Sequence, residues 1–135
     1  MLRQADNIEP SPVAPVAFGI ISHDLDEHTS LIAVEGELDL STAPQLKWAL
    51  VDALGAGHSQ LVLDLSRSSF MDSTALGVLI GVNRSLDVGS RLAIACAHPN
   101  VLNVFELSGM DGAFAIFSSM GDALAYIQQP APEAR

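Results

Sequence analysis

The sequence predicts an α/β domain on a mixed, mostly parallel sheet, with elements in the order ββαβαβαβα. Three observations lead there. Leu61–Leu65, broken only by Asp64, and Arg91–Ala97 are short apolar runs of the kind that strands buried on both faces of a parallel sheet require. After each run comes a segment with helix-start chemistry, as crossover connections need. Ahead of them, two extended segments flank a polar turn and read as an antiparallel β-hairpin.

In chain order, residues 1–15 hold Pro10, Pro12 and Pro15 among small and polar residues, and are expected to be a disordered arm before a domain over 16–129. Val16–Ser22 is the first expected strand. Asp24, Asp26, Glu27 and His28 form a solvated turn into a second strand, Leu31–Leu40. Its period of two puts Ile32, Val34, Gly36, Leu38 and Leu40 on one face and Ala33, Glu35, Glu37 and Asp39 on the other. Glu35 fits a solvent-facing sheet edge, whereas Asp39 sits at the strand end beside the next loop. Ser41 or Thr42 is placed to cap a helix from about Ala43, with Pro44 tolerated in the first turn, Leu46, Leu50 and Leu54 as core stripe, and Gly55 and Gly57 as stop. The strand, loop and helix of Leu61–Leu86 follow, and in them Phe70 and Met71 are expected to return to the core. After Arg91–Ala97, Pro99 opens a helix with Val101, Leu102, Phe105 and Leu107 inward and Gly109 as stop. Phe114–Phe117 is a short strand. Ser119 and Asp122 have capping-box spacing for a last helix to about Gln129, making about four helices, and residues 130–135 form a loose, disordered tail.

Composition narrows the function. The 135 residues suffice for one domain, and although 49% are hydrophobic, no apolar run approaches the roughly 20 residues that a membrane span needs. The start of the chain lacks the apolar core of a signal peptide, so a cytoplasmic protein is expected. Sixteen acids against six bases give a formal charge of −10. That opposes direct binding to nucleic acid or to anionic membranes. Cys96, the lone cysteine, reads as a buried core residue.

The chain is organised around Leu61–Leu86. Asp72, Ser73 and Thr74 stand just before a helical run, where their oxygens can accept hydrogen bonds from the unpaired amides of the first turn. On that reading Asp72 or Ser73 is simply a cap. The helix itself, A-L-G-V-L-I-G-V over 75–82, carries no charge, so it is either covered on all sides or offers surface to a partner. Ser73, Gly77 and Gly81 fall at i, i+4 and i+8 on one face. Each glycine costs about 0.5–1 kcal/mol relative to alanine in a helix interior, which close internal packing or an approaching partner would explain.

Phe70–Gly77, F-M-D-S-T-A-L-G, preceded by L-V-L-D-L and followed by V-L-I-G, resembles the signature of the STAS domain of bacterial anti-sigma factor antagonists. Gly36–Leu46, G-E-L-D-L-S-T-A-P-Q-L, and Val101–Met110 resemble it too, so the likeness runs in order from about Val16 to Gln128. It implies that Ser73, following Asp72, is phosphorylated by a partner kinase and that Asp39 lies beside it on a partner-binding surface, to which Asp72, Thr74, Gly77 and Gly81 are also assigned. It implies as partner an anti-sigma factor that is often also the serine kinase, with a separate phosphatase resetting the cycle: unmodified protein binds the anti-sigma factor and frees a sigma factor, and phosphorylation releases it. The sequence departs from the family at Ala75, where many members have glycine. A rival within the same fold is a constitutive accessory subunit of a transporter or multiprotein signalling complex, with no phosphorylation control.

An enzyme is not expected, and no catalytic residue, cofactor or metal is assigned. Ser73 lacks a G-x-S-x-G elbow, and His23, His28, His58 and His98 show no spacing that ties one to it as a base. Asp64 lacks the several acids and the lysine that a phosphoacceptor aspartate uses; the only lysine, Lys47, is expected on a solvent-facing helix. His23, Asp24, Asp26 and His28 fit a solvated turn better than a metal site, and no P-loop is present.

Overall fold

The structure is a computed structural model that describes residues 17–130. The N-terminal arm and all but the first residue of the C-terminal tail lie outside these residues. Five strands form one sheet in chain order: β1 (Gly19–Asp24), β2 (Thr29–Glu35), β3 (Gln60–Arg67), β4 (Arg91–Ala95) and β5 (Ala115–Phe117). β1 and β2 pair antiparallel, and every later neighbour pairs parallel. Between them run α1 (Ala43–Gly55), α2 (Ser73–Arg84), α3 (Pro99–Leu107) and, after a 3-10 turn at Asp111–Ala113, α4 (Met120–Gln128). The ββαβαβαβα order predicted from sequence is therefore the order observed.

The two sheet faces are covered unequally. Ile32, Val34, Leu61, Leu63, Leu65, Leu92 and Ile94 project toward α1, α2 and α3, meeting Leu46, Leu50, Leu76, Leu79, Val101 and Phe105 in the main core. Val62, Ala93 and Ala95, on alternate positions, face Ala123 and Ile127 of α4. β3 and β4 are thus buried on both faces along most of their length, as their near-continuous apolar runs require. Cys96 packs at the edge of the main core, and burial pushes its thiol pKa up.

Several local expectations are corrected. The described part of the first strand is Gly19–Asp24, so Asp24 extends the strand instead of opening the turn; Val16 lies outside the described residues. The turn is held by Asp26, whose carboxylate accepts from the amides of His28 and Thr29, both at 2.8 Å. β2 stops at Glu35 because Gly36 adopts a φ of 97°, which breaks the alternation; Leu38 stays buried but Leu40 is 73% exposed. β2 is also an inner strand, with β1 outside it, and Glu35 pairs with Arg67 of β3 at 3.0 Å. Ala53 completes the α1 stripe and Leu54 is only partly buried. Phe70 and Leu107, expected inward, are exposed: Phe70 lies in a loop, and Leu107 is the last residue of α3. β4 ends at Ala95.

Candidate functional site

The site begins where β3 ends. The chain turns through Ser68–Phe70, buries Met71, and enters α2 with Asp72 as N-cap. Asp72 is extended, with φ −104° and ψ −179°, and its Oδ1 accepts from the amides of Thr74 at 2.9 Å and Ala75 at 3.1 Å. The cap is therefore the Asp72 carboxylate, and Ser73 is the first helical residue, exposed at the amide-rich end of α2. Ala75 is fully buried.

A parallel bridge between Leu38 and Met71 sets the β2–α1 loop against this turn. The Leu38 amide donates to the Phe70 carbonyl at 3.0 Å, and the Asp72 amide donates to the Leu38 carbonyl at 3.0 Å. Asp39 and Asp72 each follow a partner in that bridge, so the two loops run side by side. Asp39, partly exposed, holds the turn that leads into α1. Its Oδ1 accepts from the Ser41 amide and hydroxyl at 2.9 and 2.7 Å and from the Thr42 amide at 3.2 Å. The Ser41 hydroxyl above all, with these amides, holds its carboxyl below the usual range. Thr42, one of the two alternative caps expected, takes the N-cap position of α1 but makes no side-chain cap bond; its hydroxyl donates to the Glu37 carbonyl at 2.8 Å.

α2 has two unlike sides. Ala75, Leu76, Leu79 and Val82 are buried, while Ser73, Thr74, Gly77 and Gly81 are exposed. A Cβ added at Gly77 or Gly81 would meet nothing within 4 Å. Internal close packing therefore does not account for these glycines. Beside them, α1 and α2 enclose two adjoining hollows of about 560 and 510 Å³. Lys47, Val51, Thr74 and Val78 line both, so they form one groove.

Three apolar residues of the groove wall escaped the sequence reading: Leu40, Trp48 and Val51, exposed by 73, 65 and 40%. A signal for two of them was present. Trp48 and Val51 are spaced i, i+3 and lie off the Leu46–Leu50 stripe.

Asp64 and His58 have partners of their own. Asp64 accepts from the Ser66 amide at 2.9 Å. His58, just ahead of β3 and so at the opposite end of that strand, contacts Asp24 at 3.3 Å and the Ala53 carbonyl at 3.2 Å. Among the described residues no group of three or more His, Cys, Asp or Glu side chains could hold a metal ion, and no helix is long and apolar enough to cross a membrane.

Comparison with known proteins agrees with this architecture. The family model described as Mlab, STAS domain, matches residues 21–120. The anti-sigma-B factor antagonist of Listeria monocytogenes is 35% identical over 92 residues, 67% of this chain and 81% of that protein. The anti-sigma-F factor antagonist RsfB of Mycobacterium tuberculosis is 26% identical over 99 residues, 73% of this chain and 81% of that one. A crystal structure of an anti-sigma factor antagonist from Mycobacterium paratuberculosis superposes with a TM-score of 0.78 at 26% identity, covering 84% of this chain and 96% of that one. Unphosphorylated SpoIIAA shares the fold, with a TM-score of 0.71 at 23% identity over 84% of this chain and all of its own. With a family model over most of its length and the Listeria relative beside it, this chain belongs to the STAS-domain family of anti-sigma factor antagonists.

Proposed function

We propose that the protein is a phosphorylation-controlled binding switch that acts in the cytoplasm and is not itself an enzyme. With Ser73 unmodified it binds an anti-sigma factor and frees a sigma factor. Phosphorylation of Ser73, by that anti-sigma factor acting as a serine kinase, releases it, and a phosphatase restores the binding form. The observation that carries this reading is the exposed Ser73 at the first position of α2, with Asp72 already supplying the cap.

Physical chemistry supports the division of effects. A phosphate at a helix N-terminus meets free amides and the positive end of the helix dipole, a favourable interaction of about 0.3–1 kcal/mol, so the fold tolerates it. A partner sees about −1.5 to −2 new charges. A like charge about 6 Å away, at an effective dielectric near 20, costs on the order of 3 kcal/mol per charge pair before screening. A few kcal/mol weakens a complex by tens to a thousandfold. Asp39, Asp72, Thr74, Gly77 and Gly81 complete the proposed contact surface with Ser73, where the glycines let a partner approach the helix backbone.

The test is intact mass and site mapping on protein from its own cells, followed by pull-down with unmodified protein and Ser73→Asp. One phosphate on Ser73, and a kinase-type anti-sigma factor held only by the unmodified form, is the expected result. No phosphate under any growth condition, with a transporter or multiprotein complex held by both forms, would replace this function with the constitutive accessory role.

A further inference from the structure

The groove between α1 and α2 has a wall that the switch alone does not use. Leu40, Trp48 and Val51 expose large apolar surfaces there, facing Val78 and the open backbone of Gly77 and Gly81. Single exposed apolar residues are ordinary, but several along one groove mark a contact surface, and tryptophan is among the side chains that most often carry binding energy. Lys47 lines both halves of the groove, is the chain's only lysine, and forms no ion pair among the described residues. A second copy of this chain is a poor occupant, because each copy brings a formal charge of −10.

We infer that Trp48 and Leu40 are the anchor by which this protein holds its anti-sigma factor: an apolar side chain of the partner enters between Trp48 and Val78, and a partner carboxylate beside it meets Lys47. This rests on the antagonist function proposed above and adds the chemistry of the partner's contact. Apolar filling supplies affinity, and Lys47, the one charged residue lining the groove, supplies register. The groove also explains how the switch reaches the anchor. Thr74 lines it, and Ser73 is the residue before, so a phosphate adds negative charge at the rim that the partner carboxylate must approach.

The sole tryptophan makes the test direct. The full chain, labelled with 5-fluorotryptophan, is titrated with its purified, unlabelled anti-sigma factor while the ¹⁹F resonance of Trp48 is followed. Affinities are then measured for wild type, Trp48→Ala, Lys47→Glu and Ser73→Asp, each checked for an unchanged unfolding midpoint. The expected result is a shifted, solvent-shielded resonance and at least tenfold weaker binding by Trp48→Ala. Lys47→Glu should also weaken binding about tenfold and be rescued by a Glu/Asp→Lys change on the partner. If wild type binds and Ser73→Asp does not, yet the resonance is unmoved and both groove variants bind within twofold of wild type, the anchor is wrong and the switch stands. If the anti-sigma factor does not bind wild type, the antagonist function fails and the anchor with it.

Discussion

Both ends of the sheet carry polar side chains, and they are used in opposite ways. At the amino ends of β3 and β4, Arg91 is 8% exposed and donates from Nε to Gln60 Oε1 at 2.9 Å and from Nη2 to the Ile127 carbonyl at 2.8 Å. It also bonds the Gln129 carbonyl and lies 4.9 Å from the centre of the Tyr126 ring, while Gln60 passes its own amide to the Gly89 carbonyl. This cluster seats the carbonyl end of α4, the negative end of its dipole, on a buried cation. Beyond the carboxyl ends of β2 and β3, Asp39 holds the turn into α1, Asp72 caps α2, and Ser73 is left facing solvent. Polar groups buried at one end are consumed by the fold. At the other, the carboxylates are consumed and the hydroxyl beside them remains available. The modification proposed for Ser73 needs a surface of the second kind.

That contrast can be broken by substitution, most strongly at Arg91. Replacing it with alanine leaves a buried amide oxygen and two helix-end carbonyls without their donor, so unfolding free energy should fall by about 3 kcal/mol in a denaturant titration. A loss below about 1 kcal/mol would mean that α4 seats without it. Asp72→Ala removes only the α2 cap and should cost about 1 kcal/mol by the same measurement. Gly77→Ala should have the opposite sign, stabilising by about 0.5–1 kcal/mol, because the new methyl enters open space and alanine is the better helix former. The same variant should weaken anti-sigma factor binding if the glycine track is a contact, and stabilisation with full binding would remove Gly77 from the surface. Ser73→Asp is expected to change stability least of these, by a few tenths of a kcal/mol and upward, since it places an anion at a helix N-terminus.

The mildest effect is one of pH. Asp39 has a folded-state pKa held below the ordinary carboxylate value, so the stability it contributes is fully present above the unfolded value of about 4 and is lost as pH falls through the folded one. The stability difference between wild type and Asp39→Asn should therefore be constant from pH 5 to 7 and shrink only below about pH 4. A difference that instead changed between pH 5 and 7 would show that the Asp39 carboxylate does not titrate in this way.

Much of this was legible in the residues. The buried strands were visible as apolar runs, the helix starts as Asp, Ser, Thr and Pro before periodic segments, and the stops as Gly57 and Gly109, which adopt φ of 96° and 75°. The position of Ser73 at the head of α2 was legible for the same reason. Such features depend on local stereochemistry, which a short stretch of sequence fixes by itself. Where the reading failed, it failed at positions with no local signature. Leu40 continued the alternation that puts it on one face with Ile32, Val34 and Leu38, but Gly36 ended β2 four residues earlier and turned Leu40 out. Phe70 and Leu107 were apolar enough for a core that had already been filled by others.

Sequence alone thus determined the order of elements, their capping chemistry and the placing of one serine at a helix start. Only the tertiary structure decided which apolar side chains the core had room for, set Asp39 beside Asp72 through the Leu38–Met71 bridge, and opened a groove between α1 and α2 lined by Trp48. Periodicity and capping act within a few residues of one another, whereas burial is a competition among surfaces distant in the chain, settled only when the helices meet the sheet.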